Sequence, residues 1–140
     1  MRSDWFAVLG RDFVQGFSEY VGIRVLHIGE GVFDSILDVR PCHRQQDGFV
    51  HAGVIATMAD HTAGYAAFTI APEDHRILTI EFKINYFKPA IGTAIICRSR
   101  VINPGKKIIV SESEIFSKNQ DTEKLVSKAT VTLMSLRLDR

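Results

Sequence analysis

Cysteine is nearly absent from this 140-residue chain. Only Cys42 and Cys97 occur, far apart and without a CxxC, so neither a disulfide framework nor a cysteine-based zinc site is indicated. Both read as free thiols in a reducing compartment. An excess of one charge is missing too: 17 Lys plus Arg against 16 Asp plus Glu leave a net charge of +1, no long-range field to gather nucleic acid or an anionic membrane. No run approaches the roughly 18 consecutive apolar residues of a transmembrane helix. Between Met1 and Tyr20, Asp4, Arg11 and Asp12 interrupt any stretch able to serve as a signal-peptide core, so a cytoplasmic location is the expectation. A GxSxG nucleophile signature, an internal repeat and a low-complexity tract are all missing. What is present, 46% hydrophobic and 24% charged residues, suits a globular core and one domain over residues 1–140.

Trp5, Leu9, Phe13 and Phe17 recur at i, i+4 with Phe6 and Val14 beside them, which predicts an amphipathic N-terminal helix capped by Ser3 or Asp4. Residues 23–28 and 32–39 are rich in β-branched and apolar side chains, with Gly29, Glu30 and Gly31 between them, and read as a hairpin. The segment PCHRQQDGFV, residues 41–50, lacks a sustained period and reads as a loop. An Ala-rich stretch from His51 to Ile70 then predicts a buried central helix of about 30 Å. Everything after Asp74 is strand-like. Leu78, Ile80, Phe82, Ile84 and Tyr86 alternate with Thr79, Glu81, Lys83 and Asn85, and residues 93–102, 107–116 and 124–136 follow after turn or polar breaks. Short connections imply antiparallel neighbours, and one apolar helix laid against one twisted sheet is the economical α+β arrangement.

Two places suggest chemistry. The backbone N–H groups of Ala52 and Gly53 open the long helix, where they lack intrahelical partners and the helix dipole adds positive charge, a setting for a developing oxyanion. Equally, small residues there let the helix approach a sheet closely. Asp60 falls mid-helix among Met58, Ala59, Thr62 and Ala63, where a buried carboxylate carries a desolvation cost that something must offset. Such a group can take a proton from water or attack a carbonyl, or it can be a structural partner of His61 or Thr62, or lie on a solvated stripe. His51, His61 and His43 do not sit at the i, i+4 spacing of helical zinc ligands, so no metal is expected. His43 and His75 read as exposed loop residues. Nine positions separate His51 from Asp60, and at about 100° per residue they point to nearly opposite sides of one helix. A twofold dimer reconciles them by facing one subunit's helix start to the other's carboxylate.

The run HAGVIATMAD resembles the HGG…AD helix-start signature of hotdog-fold thioesterases related to the phenylacetate-degradation PaaI protein, and TIEFKINYFKPA resembles that family's following strand, which ends in N-[FY]-x-[KR]-P. The resemblance spans residues 15–136 and implies an α+β hotdog fold, an antiparallel sheet wrapped around the long helix. It further implies hydrolysis of an acyl-CoA thioester without metal or other cofactor by a homodimer, or a dimer of dimers. Carried over by position, Asp60 is the catalytic carboxylate, Ala52 the residue whose N–H polarises the carbonyl, and His51 the support of that loop. Thr79 falls where a hydroxyl often neighbours the carboxylate, and Gln45 or Gln46 falls in the region of a positioning Asn or Gln. Gly53, Lys88 and Lys106 are the candidate substrate contacts, the lysines for the nucleotide half. Ala52 departs from the first Gly of HGG, but a backbone donor survives that change in a helix first turn.

Two other functions remain open on the sequence. An acyl-CoA-binding or regulatory protein uses the same pocket without turnover. A dehydratase or hydratase of this fold carries prolines soon after its histidine, whereas none follows His51 until Pro72.

Overall fold

A computed structural model describes residues 2–138. Helix α1 (Arg2–Phe13) buries Leu9 and Phe13, as the stripe predicts. Ser3 and Asp4 do not cap it but lie in its first turn, where Asp4 meets the positive end of the helix dipole. The stripe also ends sooner than its spacing suggests. Gly16, at φ 59° and ψ −124°, stops the helical path in a conformation that L side chains avoid, and Phe17 opens a separate short helix, α2 (Phe17–Val21). Its side chain is 66% exposed.

The hairpin β1 (Ile23–Gly29) and β2 (Val32–Asp38) follows, then a single 3-10 turn over Pro41–His43. Next come α3 (Ala52–Phe68), β3 (His75–Tyr86), β4 (Ala94–Pro104), β5 (Ile108–Asn119) and β6 (Thr122–Arg137). The polar residues 117–123 are not a long connection. Strand pairing runs out to Asn119 and Thr122, and the two-residue tip contains Gln120 at φ 56°, the left-handed geometry that matches hairpin twist. His75 is likewise no loop residue: it opens β3 with Nδ1 2.8 Å from Ser135 Oγ.

The six strands form one antiparallel sheet in the order β1-β2-β4-β5-β6-β3, and α3 packs against β2, β3, β4, β5 and β6. Ala59, Ala63 and Ala66 are fully buried, so the helix backbone lies close to the strands, with Met58, Ile95, Ile115, Val131 and Leu133 filling the core. Phe13 stacks on Phe33 at 4.8 Å between ring centroids and meets Tyr65 edge-on at 5.1 Å, which ties α1 to this core. Buried hydroxyls also link sheet to helix. Ser99 and Ser113 share a 2.6 Å hydrogen bond, and Ser113 Oγ donates to Ala59 O at 2.7 Å.

β3 departs from simple alternation. Thr79 pairs with Leu133 and Glu81 with Thr132, which leaves Ile80 as an extra residue in a β-bulge. The bulge turns Thr79 onto the helix-facing side with Phe82, Ile84 and Tyr86, and sends Leu78 to the other face with Glu81, Lys83 and Asn85. Strict alternation assigns both Leu78 and Thr79 to the wrong sides.

Gly92, between β3 and β4, has φ 150°, and a Cβ there would sit 2.5 Å from Lys118 O. Gly92→Ala therefore costs about 1–3 kcal/mol of stability and lowers the thermal midpoint by several degrees in a melting experiment. An unchanged midpoint would show that this contact does not constrain the loop.

Candidate active site

Asp60 is half-buried on α3, and Thr79 Oγ1 donates to its Oδ1 at 2.7 Å. The bond exists because the bulge directs Thr79 inward. Thr62 and His61, the nearer partners in sequence, are engaged elsewhere: Thr62 Oγ1 lies 2.8 Å from Ser35 Oγ, and His61 Nε2 lies 2.9 Å from Phe13 O. With a carbonyl as its partner, His61 Nε2 must carry the proton. Asp60 opens onto a cavity of about 270 Å³ lined also by Phe17, Ala56, Thr57, His61 and Phe82. Mixed apolar walls around one fixed carboxylate suit an apolar group held beside a proton acceptor.

The helix start faces a different cavity, of about 480 Å³, which Gln45, Gln46, His51, Ala52, Tyr86 and Lys88 help to line. His51 is the N-cap of α3, and its Nδ1 accepts the Gly53 N–H at 2.8 Å. This occupies the Gly53 donor. Val54 and Ile55 N–H groups donate to His51 O. Among the described residues the Ala52 N–H has no acceptor, so it is the free donor at the positive end of α3. Tyr86 O–H donates to Ala52 O at 2.8 Å and pins this end to β3.

Gln45 Oε1 accepts the backbone N–H groups of Asp47 and Phe49, which closes the loop turn and leaves its amide NH₂ free. Gln46 is exposed on the same cavity. Lys88 stands at the rim that this cavity shares with a trough of about 540 Å³ reaching Lys124 and the β5–β6 tip. Lys106 lies on the β4–β5 turn, at the opposite end of the sheet. Thus the structure brings His51, Ala52, Gly53, Gln45, Gln46 and Lys88 together, and Asp60 with Thr79, in two separate places. Along α3, Ala52 and Asp60 stand about 12 Å apart.

His43 is not exposed but 3% accessible, with Nδ1 accepting Arg40 N–H and Nε2 donating to Val21 O. It is a fastening of the loop to α2. No three His, Cys, Asp or Glu side chains gather as a metal site needs among the described residues.

A family model described as the thioesterase superfamily matches residues 47–124. The chain belongs to the thioesterase superfamily. Its fold is the hotdog fold, and thioester hydrolysis is the chemistry of its family. It is 31% identical to a thioesterase family protein from Silicibacter pomeroyi, covering 95% of this chain and 99% of that one with a TM-score of 0.91. The phenylacetic acid degradation protein PaaI from Thermus thermophilus is 27% identical, with 87% and 98% covered and a TM-score of 0.73. A 1,4-dihydroxy-2-naphthoyl-CoA hydrolase from Listeria monocytogenes is 26% identical over 124 residues, 87% of this chain and 98% of that one. No helix among the described residues is long and apolar enough to cross a membrane.

Four further residues line this candidate site without a sequence signal that singles them out. Phe17 was absorbed into the N-terminal stripe, although the preceding Gly16 signals the break. His61 was weighed only as a metal ligand or a structural partner of Asp60. Phe82 and Tyr86 were read as strand residues, and their roles depend on which face the bulge gives them.

Burial, the largest cause, pushes the His61 imidazole below its usual 6.5, against the raising effects of the Phe13 carbonyl, Asp60 and Asp12. The folded state therefore binds fewer protons here than the unfolded chain, so this group's share of stability is complete above pH 6.5 and declines as pH falls below it. His61→Gln keeps a donor for Phe13 O but cannot titrate. Melting curves from neutral pH down to about pH 5 should show a shallower decline for this variant than for wild type. Equal slopes would mean that His61 takes up its proton alike in the folded and unfolded chain, and that burial does not lower its pKa.

Proposed function

We propose that this protein hydrolyses an acyl-CoA thioester to the free acid and CoA, with each site shared between two subunits of a homodimer. Support comes chiefly from one arrangement: a carboxylate held by Thr79 and a free N–H at a helix start, both at family positions, about 12 Å apart on one helix. One subunit cannot converge both on a single carbonyl carbon. A partner can, by presenting its own Asp60 to this chain's Ala52.

The exposed edge of the sheet supports such pairing. Among the described residues β3 has a strand neighbour on one side only, and its Leu78 and Ile80 are 55% and 50% exposed. Joining two β3 edges satisfies unpaired backbone groups and covers apolar side chains. Two such dimers can associate further into a dimer of dimers.

In the reaction, Asp60 takes a proton from water as the hydroxide oxygen adds to the thioester carbonyl, or its carboxylate adds directly. The carbonyl oxygen becomes an oxyanion, and the N–H of Ala52 donates to it where the charge develops. Collapse breaks the C–S bond: in the first route the CoA sulfur takes back the proton held by Asp60, and in the direct route it leaves as a thiolate that is protonated from solvent. In the direct route, water then hydrolyses the acyl-carboxylate anhydride and restores Asp60. Gln45, whose carbonyl is pinned by the loop backbone, offers a preorganised amide donor to the reacting water or the thioester. Gln46, exposed and unpinned, serves less well. His51 holds the Gly53 N–H and so keeps the helix start open, while Gly53 gives the substrate close approach. Lys88 at the shared rim meets the phosphates of CoA. No metal or organic cofactor takes part.

Asp60→Asn should retain the fold and lower kcat by at least about 100-fold, the scale of a lost general base. Release of CoA thiol from an acyl-CoA panel measures it. Turnover near wild type would remove Asp60 from the mechanism, and a wild type that binds acyl-CoA without cleaving it would identify a binding protein instead.

A further inference from the structure

Phe17 is the residue common to two cavities. One is the cavity of about 270 Å³ that contains Asp60. The other, of about 280 Å³, is lined by Phe17 together with Tyr20, Arg40, Cys42 and Val54. The ring is 66% exposed and takes no part in the aromatic cluster of Phe13, Phe33, His61, Tyr65 and Phe68. Core packing therefore does not account for a phenyl group here.

Its carrier is fastened at both ends. Ser18 Oγ lies 2.6 Å from Phe13 O, the carbonyl that also receives the His61 N–H, so α2 and the residue beside Asp60 hang from one atom. At the other end Val21 O accepts from His43 Nε2 at 2.6 Å and from Arg40. Short as it is, α2 holds Phe17 in a fixed place relative to the carboxylate. The family model begins at residue 47, so this wall lies outside the part of the chain it matches.

We propose that Phe17 determines acyl-chain specificity by partitioning the two cavities, so that the enzyme takes compact acyl groups and rejects long ones. This rests on the reading of Asp60 as the catalytic carboxylate. A hexanoyl or single-ring acyl group beside Asp60 lies against Phe17, Ala56 and Phe82, and a dodecanoyl chain must pass the Phe17 ring. Removing the ring joins the Asp60 cavity to the one beyond it.

The test measures kcat/KM for hexanoyl-CoA and dodecanoyl-CoA, by CoA thiol release, in wild type, Phe17→Ala and Phe17→Trp. Wild type should prefer hexanoyl-CoA. Phe17→Ala should raise the dodecanoyl-to-hexanoyl ratio by at least about tenfold, the lower end of what apolar pocket contacts discriminate, and Phe17→Trp should lower it further. Thermal unfolding accompanies each variant, and Phe17→Leu replaces Phe17→Ala if the latter does not fold. A wild-type preference for dodecanoyl-CoA, or an unchanged ratio in an active, folded variant, would overturn the assignment of Phe17 and leave the hydrolase reading intact. A wild type inactive on both substrates and on the wider acyl-CoA panel would overturn the hydrolase reading, and this inference with it.

Discussion

The close contact between α3 and the sheet is the constraint from which the rest follows. Ala59, Ala63 and Ala66 present almost no side chain to the strands, so the helix axis lies near the sheet and its rotation is set by what little protrudes. Met58 and Thr62 are turned inward to full burial, and that rotation leaves Asp60 at the boundary, neither in the core nor free in solvent. A bulkier inner face would lift the helix and break the reach of Thr79 Oγ1 to Asp60. Ser113 adds direction to this contact by donating to Ala59 O, one residue before the carboxylate. Each such bond is worth about 1 kcal/mol, enough to bias position while the apolar contact supplies the bulk of the stability.

Two local departures from regularity adapt this scaffold to chemistry. The bulge at Ile80 reverses the side-chain faces of β3 partway along, bringing a hydroxyl to the carboxylate while Phe82 and Tyr86 keep facing the helix. At the helix start, His51 replaces the usual hydroxyl or carboxylate cap with an imidazole nitrogen. Because that nitrogen takes the Gly53 N–H, the Ala52 N–H one residue earlier stays free. One carboxylate and one donor are thereby prepared on the same helix, yet pointed apart. In the proposed dimer, another chain completes each half.

Much of this was legible in residue order. The Ala-rich helix, the four strands after Asp74 and the antiparallel pairing follow from periodicity and connection length, and HAGVIATMAD with TIEFKINYFKPA marks the family that the matched model shows. The divergence of His51 and Asp60 follows from helical geometry alone. The break at Gly16 was harder to read, because Phe17 keeps the i, i+4 spacing of a helix that has already ended. The bulge was illegible: alternation continues unbroken in sequence through Ile80, and only pairing with β6 reveals the extra residue. His43 looked like an exposed loop side chain because its partners, Arg40 N–H and Val21 O, are backbone groups that carry no sequence signal.

The central claim is that two chains build each site, and subunit mixing tests it most directly. One variant is Ala52→Pro, which deletes the free N–H at the first position of α3, where proline is favoured. His51, at φ −62° and ψ 137°, already has the extended backbone that a following proline requires. The other variant is Asp60→Asn. Each homodimer alone should be inactive. After subunit exchange, verified by native mass spectrometry, about half of the dimers are mixed and each carries one intact site, so the mixture should recover about a quarter of wild-type activity. No recovery in verified mixed dimers, or full activity in a protein that light scattering shows to be monomeric, would contradict the shared site.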